Sequence, residues 1–140
     1  MLLKKKQLEE VLPHRDPYLF IDRVYIEEEG VKGRGVKKML SNDYFFEGHF
    51  PERPVMPGVI IIESIAQTAM AVLKRGDLKL RKVNKVKFRH TIQPDDIIEI
   101  NVILENIEQS SFKFKGEVLV DDNVAASGEI VISEDSDRID

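Results

Sequence analysis

Residues 55–73 read VMPGVIIIESIAQTAMAVL and form the most apolar segment of the chain. From position 59 onward, apolar side chains fall on almost every side of the helix that this composition favours, and Gly76 offers a place for the helix to end. The uninterrupted apolar part is shorter than the roughly 20 residues that a membrane-spanning helix needs. A helix that is apolar all round must be enclosed by other structure. We therefore predict one long buried helix over residues 59–73.

The residues on both sides of this helix predict the strands that enclose it. Ile98, Ile100 and Val102 alternate with polar residues, and this period of two is typical of a half-buried strand. The glycines at 33 and 35 indicate bulges in an early strand. The predicted order is a helix over residues 4–12, strands over 18–29 and 31–40, the central helix, and four strands that begin with 82–92 and end with 123–132. We predict an α+β fold, a curved antiparallel sheet wrapped around the long helix.

The overall composition excludes several classes of protein. At 140 residues the chain fits one domain, predicted over residues 1–140 with a frayed acidic tail from about residue 134. No cysteine is present, so thiolate nucleophiles, disulfides and cysteine-ligated metals are excluded. The net charge of −4 argues against bulk binding to nucleic acid. Neither a signal peptide nor a membrane span is predicted, so we expect a cytoplasmic protein with no membrane partner.

Glu63 is the residue of the predicted helix that needs a chemical explanation. It is the only carboxylate between Glu52 and Asp77, and three isoleucines precede it. An unpaired buried carboxylate is costly, so Glu63 must be paired, protonated or facing a polar cavity. Gln67 lies one turn later on the same face and could hydrogen-bond it. The alternatives are a buried Glu–Gln pair with a purely structural role, or a glutamate that faces water at a dimer seam.

Two further features could complete a reactive site with Glu63. His49 lies in an aromatic, proline-bounded loop just before the helix, although a single histidine is more often structural than catalytic. Gly58 begins the helix, where a free N–H group and the helix dipole favour a carbonyl oxygen that gains negative charge. A base, an acid and such an N–H group suit removal of a proton beside a thioester carbonyl and loss of a hydroxyl group. The motifs of serine hydrolases, phosphate-binding loops and zinc peptidases are absent.

Four segments of the chain fit one family together. Residues 14–24 read HRDPYLFIDRV, residues 48–59 read GHFPERPVMPGV, residues 63–67 read ESIAQ, and residues 87–89 read KFR, with Pro94 after them. This pattern resembles the β-hydroxyacyl-acyl-carrier-protein dehydratases of bacterial fatty-acid synthesis, from about residue 12 to residue 97. Two departures bear on carrier docking and tunnel shape. Asp95 stands where the family usually has glycine, and His90 stands where arginine is common.

The resemblance implies a fold, an assembly and a role for each candidate residue. The fold would be the hotdog, with active sites at dimer interfaces and dimers assembled into hexamers. His49 would be the base at C2, and Glu63 of the neighbouring subunit would be the acid that releases the hydroxyl as water. Gly58 would bind the thioester carbonyl through its N–H, Gln67 would support Glu63, and no metal or organic cofactor would take part. Glutamate rather than aspartate at position 63 implies dehydration of a (3R)-3-hydroxyacyl thioester to a trans-2-enoyl product without isomerisation.

The basic segment 74–89 gains a partner from the same resemblance. It carries eight basic residues and one acid, Asp77, in a chain that is acidic overall. Acyl carrier protein is strongly acidic, and basic residues near the substrate entrance would steer its approach. Solvated lysines on a strand are the alternative. His90 is expected at the surface, and His14 is expected to pack near the first strand. The docking candidates are Lys74, Arg75, Arg81, Lys82, Lys85, Lys87 and Arg89.

Two other functions stay open from the sequence. A hotdog thioesterase would hydrolyse the acyl thioester, and release of free thiol would identify it. A non-catalytic acyl-binding module would keep the buried helix but would not need both His49 and Glu63. Acyl binding that survives replacement of both residues would identify this second alternative.

Overall fold

A single antiparallel sheet curves around one long helix in the computed structural model, which describes residues 1–46 and 54–134. The sheet follows the spatial order β1-β2-β3-β5-β6-β7-β4, and the long helix α2 packs against strands β2 to β7. The elements are β1 (Leu2–Leu3), α1 (Lys5–Val11), β2 (Arg23–Glu28), β3 (Lys32–Lys38), a 3-10 turn (Tyr44–Phe46), α2 (Gly58–Leu73), β4 (Leu78–Phe88), β5 (Ile97–Glu108), β6 (Ser111–Val120) and β7 (Asn123–Glu134).

This arrangement confirms the predicted α+β hotdog fold. Every strand pairing is antiparallel. β3 pairs with β5 because the chain leaves β3 for α2 and then adds β4 at the opposite edge of the sheet, beside β7. All residues of α2 from 64 to 72 are buried. The buried hydroxyls of this stretch are satisfied within the helix, since Ser64 donates to the Ile61 carbonyl and Thr68 to the Ser64 carbonyl.

Three glycines of the sheet allow α2 to approach it closely. A Cβ atom on Gly116 would lie 2.5 Å from Cγ2 of Ile65, and one on Gly35 would lie 2.6 Å from Oγ1 of Thr68. Gly33 has the same relation to Val72, at 2.4 Å. Residues 32–36 of β3 are paired without a break to β2 and to β5, so the predicted bulges within this strand are wrong. The irregularity lies in β2 instead, between Ile26 and Glu28.

Helix α2 ends at Leu73, as predicted, but its C-cap residue is Lys74 and not the predicted Gly76. Lys74 takes the left-handed conformation, with φ of 54°, and its N–H bonds to the carbonyls of Ala71 and Met70. Gly76 packs against α1, because a Cβ there would lie 2.2 Å from the carbonyl oxygen of Val11. Gly76 therefore lets the chain after α2 pack closely against the end of α1, and Lys74 is the C-cap residue of α2.

Two predicted strands have wrong boundaries, since the strand predicted over residues 82–92 is β4, which spans Leu78–Phe88, and the strand predicted over residues 18–29 begins later. β2 begins at Arg23, and in the segment before it the Gln67 side chain binds the backbone of Tyr18 and Phe20. Glu134, where the acidic tail is predicted to begin, ends β7 and accepts a hydrogen bond from Arg75. The rest of the predicted tail, residues 135–140, lies outside the described residues.

Candidate active site

The first turns of α2 leave one side of the helix uncovered in the single chain. Val59 is 73% exposed, and the Glu63 side chain, four residues later on the same side, is 31% exposed. From residue 64 to residue 72 the helix is buried. The expectation of a buried carboxylate is therefore wrong for the isolated chain. Composition alone cannot show which side of an apolar helix the sheet leaves open.

Gln67 connects Glu63 to the segment that precedes β2. Its side chain is fully buried, and its Oε1 accepts the Phe20 N–H at 2.8 Å. This bond fixes the orientation of the amide group, so Nε2 donates to the Tyr18 carbonyl at 2.9 Å and lies 3.4 Å from Oε1 of Glu63. One glutamine thus satisfies two backbone groups and contacts one oxygen of the carboxyl group.

His14 is a second neighbour of Glu63, distant from it in sequence. Its Nε2 lies 3.5 Å from Oε1 of Glu63, the same oxygen that Gln67 contacts, and its side chain is 22% exposed. The expected role of His14 was packing near the first strand. His14 belongs to the HRDPYLF segment, which carries part of the family resemblance. This was the sequence signal that could have marked His14 as a site residue. Among the described residues, Oε2 of Glu63 has no hydrogen-bond partner.

The N-terminus of α2 borders an open apolar groove. Pro57 is the N-cap residue, and its carbonyl accepts the N–H groups of Ile60 and Ile61, which leaves those of Gly58 and Val59 without an intrahelical acceptor. A Cβ on Gly58 would lie 2.9 Å from the ring of Phe88, whose side chain is 54% exposed. The groove holds about 350 Å³ and is lined by Val55, Met56, Gly58, Ile61, Phe88, Arg89, His90, Thr91 and Ile92.

His49 lies outside the described residues, as do its neighbours from 47 to 53. The described chain before this gap is held by aromatic contacts. The ring of Phe45 lies 6.1 Å from that of Phe20, and Tyr44 lies 5.9 Å from Tyr18, both edge-on. The chain therefore reaches residue 46 beside the same segment that Gln67 binds.

The seven candidate docking residues differ in what they contact. Lys74 pairs with Glu29 at 3.1 Å, and Arg75 pairs with both Asp77 and Glu134. The hydrogen bond from Arg75 lowers the pKa of Asp77. Arg81 binds the Ser133 side chain and the Glu134 carbonyl. Lys85 is 3.9 Å from Glu129. Lys82, Lys87 and Arg89 are exposed and have no ion-pair partner in the part of the chain that the structure describes.

Residues 1–46 and 54–134 contain no group of three His, Asp or Glu side chains that could hold a metal ion. His90 is exposed, as predicted. Within the same residues, no helix combines the length and the hydropathy that crossing a membrane requires.

Comparison with known proteins identifies relatives along almost the whole chain. A family model described as a FabA-like domain matches residues 12–129. The 3-hydroxyacyl-[acyl-carrier-protein] dehydratase FabZ of Thermoanaerobacter pseudethanolicus is 38% identical over 135 residues, which are 92% of this chain and 95% of that protein. The protein of the same name from Clostridium kluyveri is 41% identical over 132 residues, covering 90% and 92% of the two chains.

Solved structures share the fold at low identity. One is the dehydratase heterocomplex ApeI:P from Xenorhabdus doucetiae, with a TM-score of 0.79, 15% identity, and coverage of 93% of this chain and 91% of that one. Cj0977 from Campylobacter jejuni, described as a sigma28-regulated virulence protein, has a TM-score of 0.72 and 13% identity over 96% and 92% of the two chains. At these identities the likeness concerns the fold alone.

Proposed function

The chain belongs to the FabA-like family as a FabZ-type 3-hydroxyacyl-acyl-carrier-protein dehydratase, and we propose that Glu63 and His49 are the acid and the base of its reaction. The enzyme removes water from a 3-hydroxyacyl chain carried on acyl carrier protein, a step of fatty-acid biosynthesis. Family and activity confirm the resemblance seen in the sequence. The assignment of roles to individual residues is the proposal.

The environment of Glu63 supports its role as the acid. Nitrogen atoms of Gln67 and His14 lie 3.4 and 3.5 Å from Oε1, Oε2 has no hydrogen-bond partner among the described residues, and the side chain is 31% exposed. A general acid must reach the group that it protonates, which a carboxyl enclosed on all sides could not do. The anchored, half-exposed carboxyl group of Glu63 is the observation that carries this assignment.

The proposed chemistry is an elimination in which each proton has a stated destination. His49 removes a proton from C2 of the acyl chain, and the C3–O bond breaks as Glu63 delivers a proton from Oε2 to the departing hydroxyl. Water leaves, and a double bond forms between C2 and C3. The free N–H of Gly58, at the positive end of α2, binds the thioester oxygen that gains negative charge when C2 loses its proton.

We also propose that a second copy of the chain completes the site. Val59 and Phe88 are large apolar residues exposed on the side of Glu63 and of the groove, and β4 is an edge strand with one unpaired side. Pairing along β4 would cover this edge and leave side chains on the sheet faces accessible, because strand side chains point to the faces. We infer a homodimer in which His49 of one copy serves Glu63 of the other, and three such dimers in a hexamer.

Further parts of the proposal come from the family resemblance. The acidic carrier docks on the basic residues of segment 74–89, the product is trans-2-enoyl without isomerisation, and catalysis uses no metal or organic cofactor. The enzyme works in the cytoplasm. Light scattering tests the assembly, NMR of the product tests isomerisation, and cell fractionation tests the location.

The residue roles are tested with 3-hydroxyacyl carrier protein as substrate. Enoyl absorbance and the mass loss of one water are followed for the parent, His49→Ala, Glu63→Gln and Glu105→Gln, an exposed glutamate of β5 that serves as control. We expect turnover to fall at least ~10²-fold in the first two variants, and Glu105→Gln to match the parent. Variants at 49 and 63 that match the parent would refute the roles, and free thiol without enoyl product would favour a thioesterase.

A further inference from the structure

The side chain of His14 faces the carboxyl group of Glu63 across the fold. Its Nε2 is 3.5 Å from Oε1 of Glu63, and its Nδ1 is buried without a hydrogen-bond partner among the described residues. A separation of 3.5 Å is long for a hydrogen bond. Catalytic hydrogen bonds are often long before substrate binds and tighten in the reacting complex.

The loop that carries His14 is fixed without help from Glu63. One nitrogen of the Arg15 guanidinium donates to the carbonyls of Leu12 and His14, at 2.8 Å each. The Tyr18 N–H donates to the Arg15 carbonyl at 2.7 Å, and the Leu12 side chain is buried. His14 thus contacts Glu63 from a loop that is held by its own hydrogen bonds, whereas Gln67 contacts Glu63 from the same helix.

The surroundings of the ring decide which of its nitrogens carries the proton. Neutral imidazole has one N–H group and one acceptor nitrogen. A proton on Nδ1 would be a buried donor without an acceptor, whereas a proton on Nε2 points at the carboxyl oxygen, and orphaned buried donors are rarer than orphaned acceptors. The geometry therefore favours the tautomer in which Nε2 of His14 donates toward Oε1 of Glu63.

We propose that His14 is a positioning residue, which holds Oε1 of Glu63 together with Gln67 and leaves Oε2 as the oxygen that protonates the departing hydroxyl. This inference rests on the proposed role of Glu63 as the acid. When Oε2 loses its proton, Oε1 shares the negative charge, and a hydrogen bond to an ionised acceptor is roughly twice as strong as a neutral one. The interaction strengthens during the reaction, so its loss lowers kcat and leaves KM nearly unchanged.

The kinetic test compares His14→Phe and His14→Gln in the parent and in the Glu63→Gln background. Phenylalanine keeps a ring without a donor, whereas the amide of glutamine can place N–H near the position of Nε2. We expect His14→Phe to lower kcat about tenfold with KM within about twofold, and His14→Gln to recover most of the loss. In the Glu63→Gln background, His14→Phe should cause no further loss, because no proton leaves position 63.

Several outcomes would overturn the inference while leaving the acid in place. The first is a His14→Phe variant that matches the parent while Glu63→Gln is slow. The second is an effect of His14→Phe on KM alone, and the third is an equal loss from His14→Phe in both backgrounds. A Glu63→Gln variant as active as the parent would instead refute the role of Glu63 itself. Urea unfolding of each variant separates slow turnover from poor folding.

A measurement on the unmutated ring needs no variant of His14 to fold. Two-dimensional ¹H–¹⁵N NMR of the histidine rings distinguishes a protonated Nε2 from a protonated Nδ1. We expect His14 to carry its proton on Nε2 and its Nε2 signal to shift in Glu63→Gln. A proton on Nδ1, or a signal that ignores the change at position 63, would contradict the proposal.

Discussion

The amide nitrogen of Gln67 lies 3.4 Å from Oε1 of Glu63, one turn earlier on α2. The same amide group binds the backbone of Phe20 and Tyr18, so it connects the carboxyl group to a segment distant in sequence. Because both amide atoms have partners, the glutamine cannot rotate without losing a buried hydrogen bond. The position of Glu63 is therefore coupled to the packing of helix against sheet.

Replacement of Gln67 by leucine should reduce both stability and turnover. Leucine leaves the Phe20 N–H and the Tyr18 carbonyl without their partner, so we expect the free energy of unfolding to fall by about 2–3 kcal/mol. Urea denaturation measures this, with Gln93→Leu as the control, since Gln93 is exposed. The control should stay within about 0.5 kcal/mol of the parent. A Gln67→Leu protein as stable as the parent would contradict the hydrogen bonds of Gln67 to the backbone of Phe20 and Tyr18.

Addition of a methyl group at Gly58 should obstruct the groove rather than the fold. The new Cβ would lie 2.9 Å from Cζ of Phe88, a half-exposed ring that can move. We expect stability within about 1 kcal/mol of the parent, because alanine is a better helix former than glycine. For a long acyl substrate, kcat/KM should fall by roughly tenfold.

The matched partner for this change is Phe88→Ala. It removes the ring that the methyl group meets, so the double variant Gly58→Ala/Phe88→Ala should be more active than Gly58→Ala alone. Equal activity of the two would show that the groove between these residues does not hold the acyl chain.

Replacement of a docking candidate should weaken carrier binding more when that residue makes no ion pair within its own chain. Lys87 and Arg89 have no partner among the described residues, whereas Lys74 and Arg75 pair with acids of their own chain. At low salt we expect Lys87→Gln/Arg89→Gln to raise KM for the carrier-linked substrate by about tenfold, and by less than about twofold for a short thioester. The matched double variant Lys74→Gln/Arg75→Gln should have the smaller effect. Equal effects on both substrates would exclude docking as the cause.

Alanine at Gly116 should destabilise the protein through overpacking. Its Cβ would lie 2.5 Å from Cγ2 of Ile65, and both residues are buried. We expect a loss of about 1–3 kcal/mol in the free energy of unfolding. Ile65→Ala makes room for the methyl group, so the double variant should lose less than the sum of the two single losses. Strict additivity in urea denaturation would refute the contact.

The sequence alone determined the elements of the fold and the identity of the family. The predominantly apolar run over residues 59–73 predicts an enclosed helix, and the alternation of Ile98, Ile100 and Val102 with polar residues predicts a half-buried strand. The segment GHFPERPVMPGV, followed by ESIAQ, carried the resemblance that the relatives confirm. These features are local, because period and motif are written in neighbouring residues.

Tertiary structure alone decided how the pieces meet. Three features depend on how the helix is rotated within the curved sheet. They are the contact of His14 with Glu63, the close packing of Ile65 against Gly116, and the side of α2 that stays uncovered. A periodic pattern specifies which residues share a face. It does not specify how deeply that face is buried or which residues of other elements contact it. Contacts between distant residues arise only when the sheet closes around the helix, so the spacing along α2 predicts the contact of Gln67 with Glu63 but not that of His14.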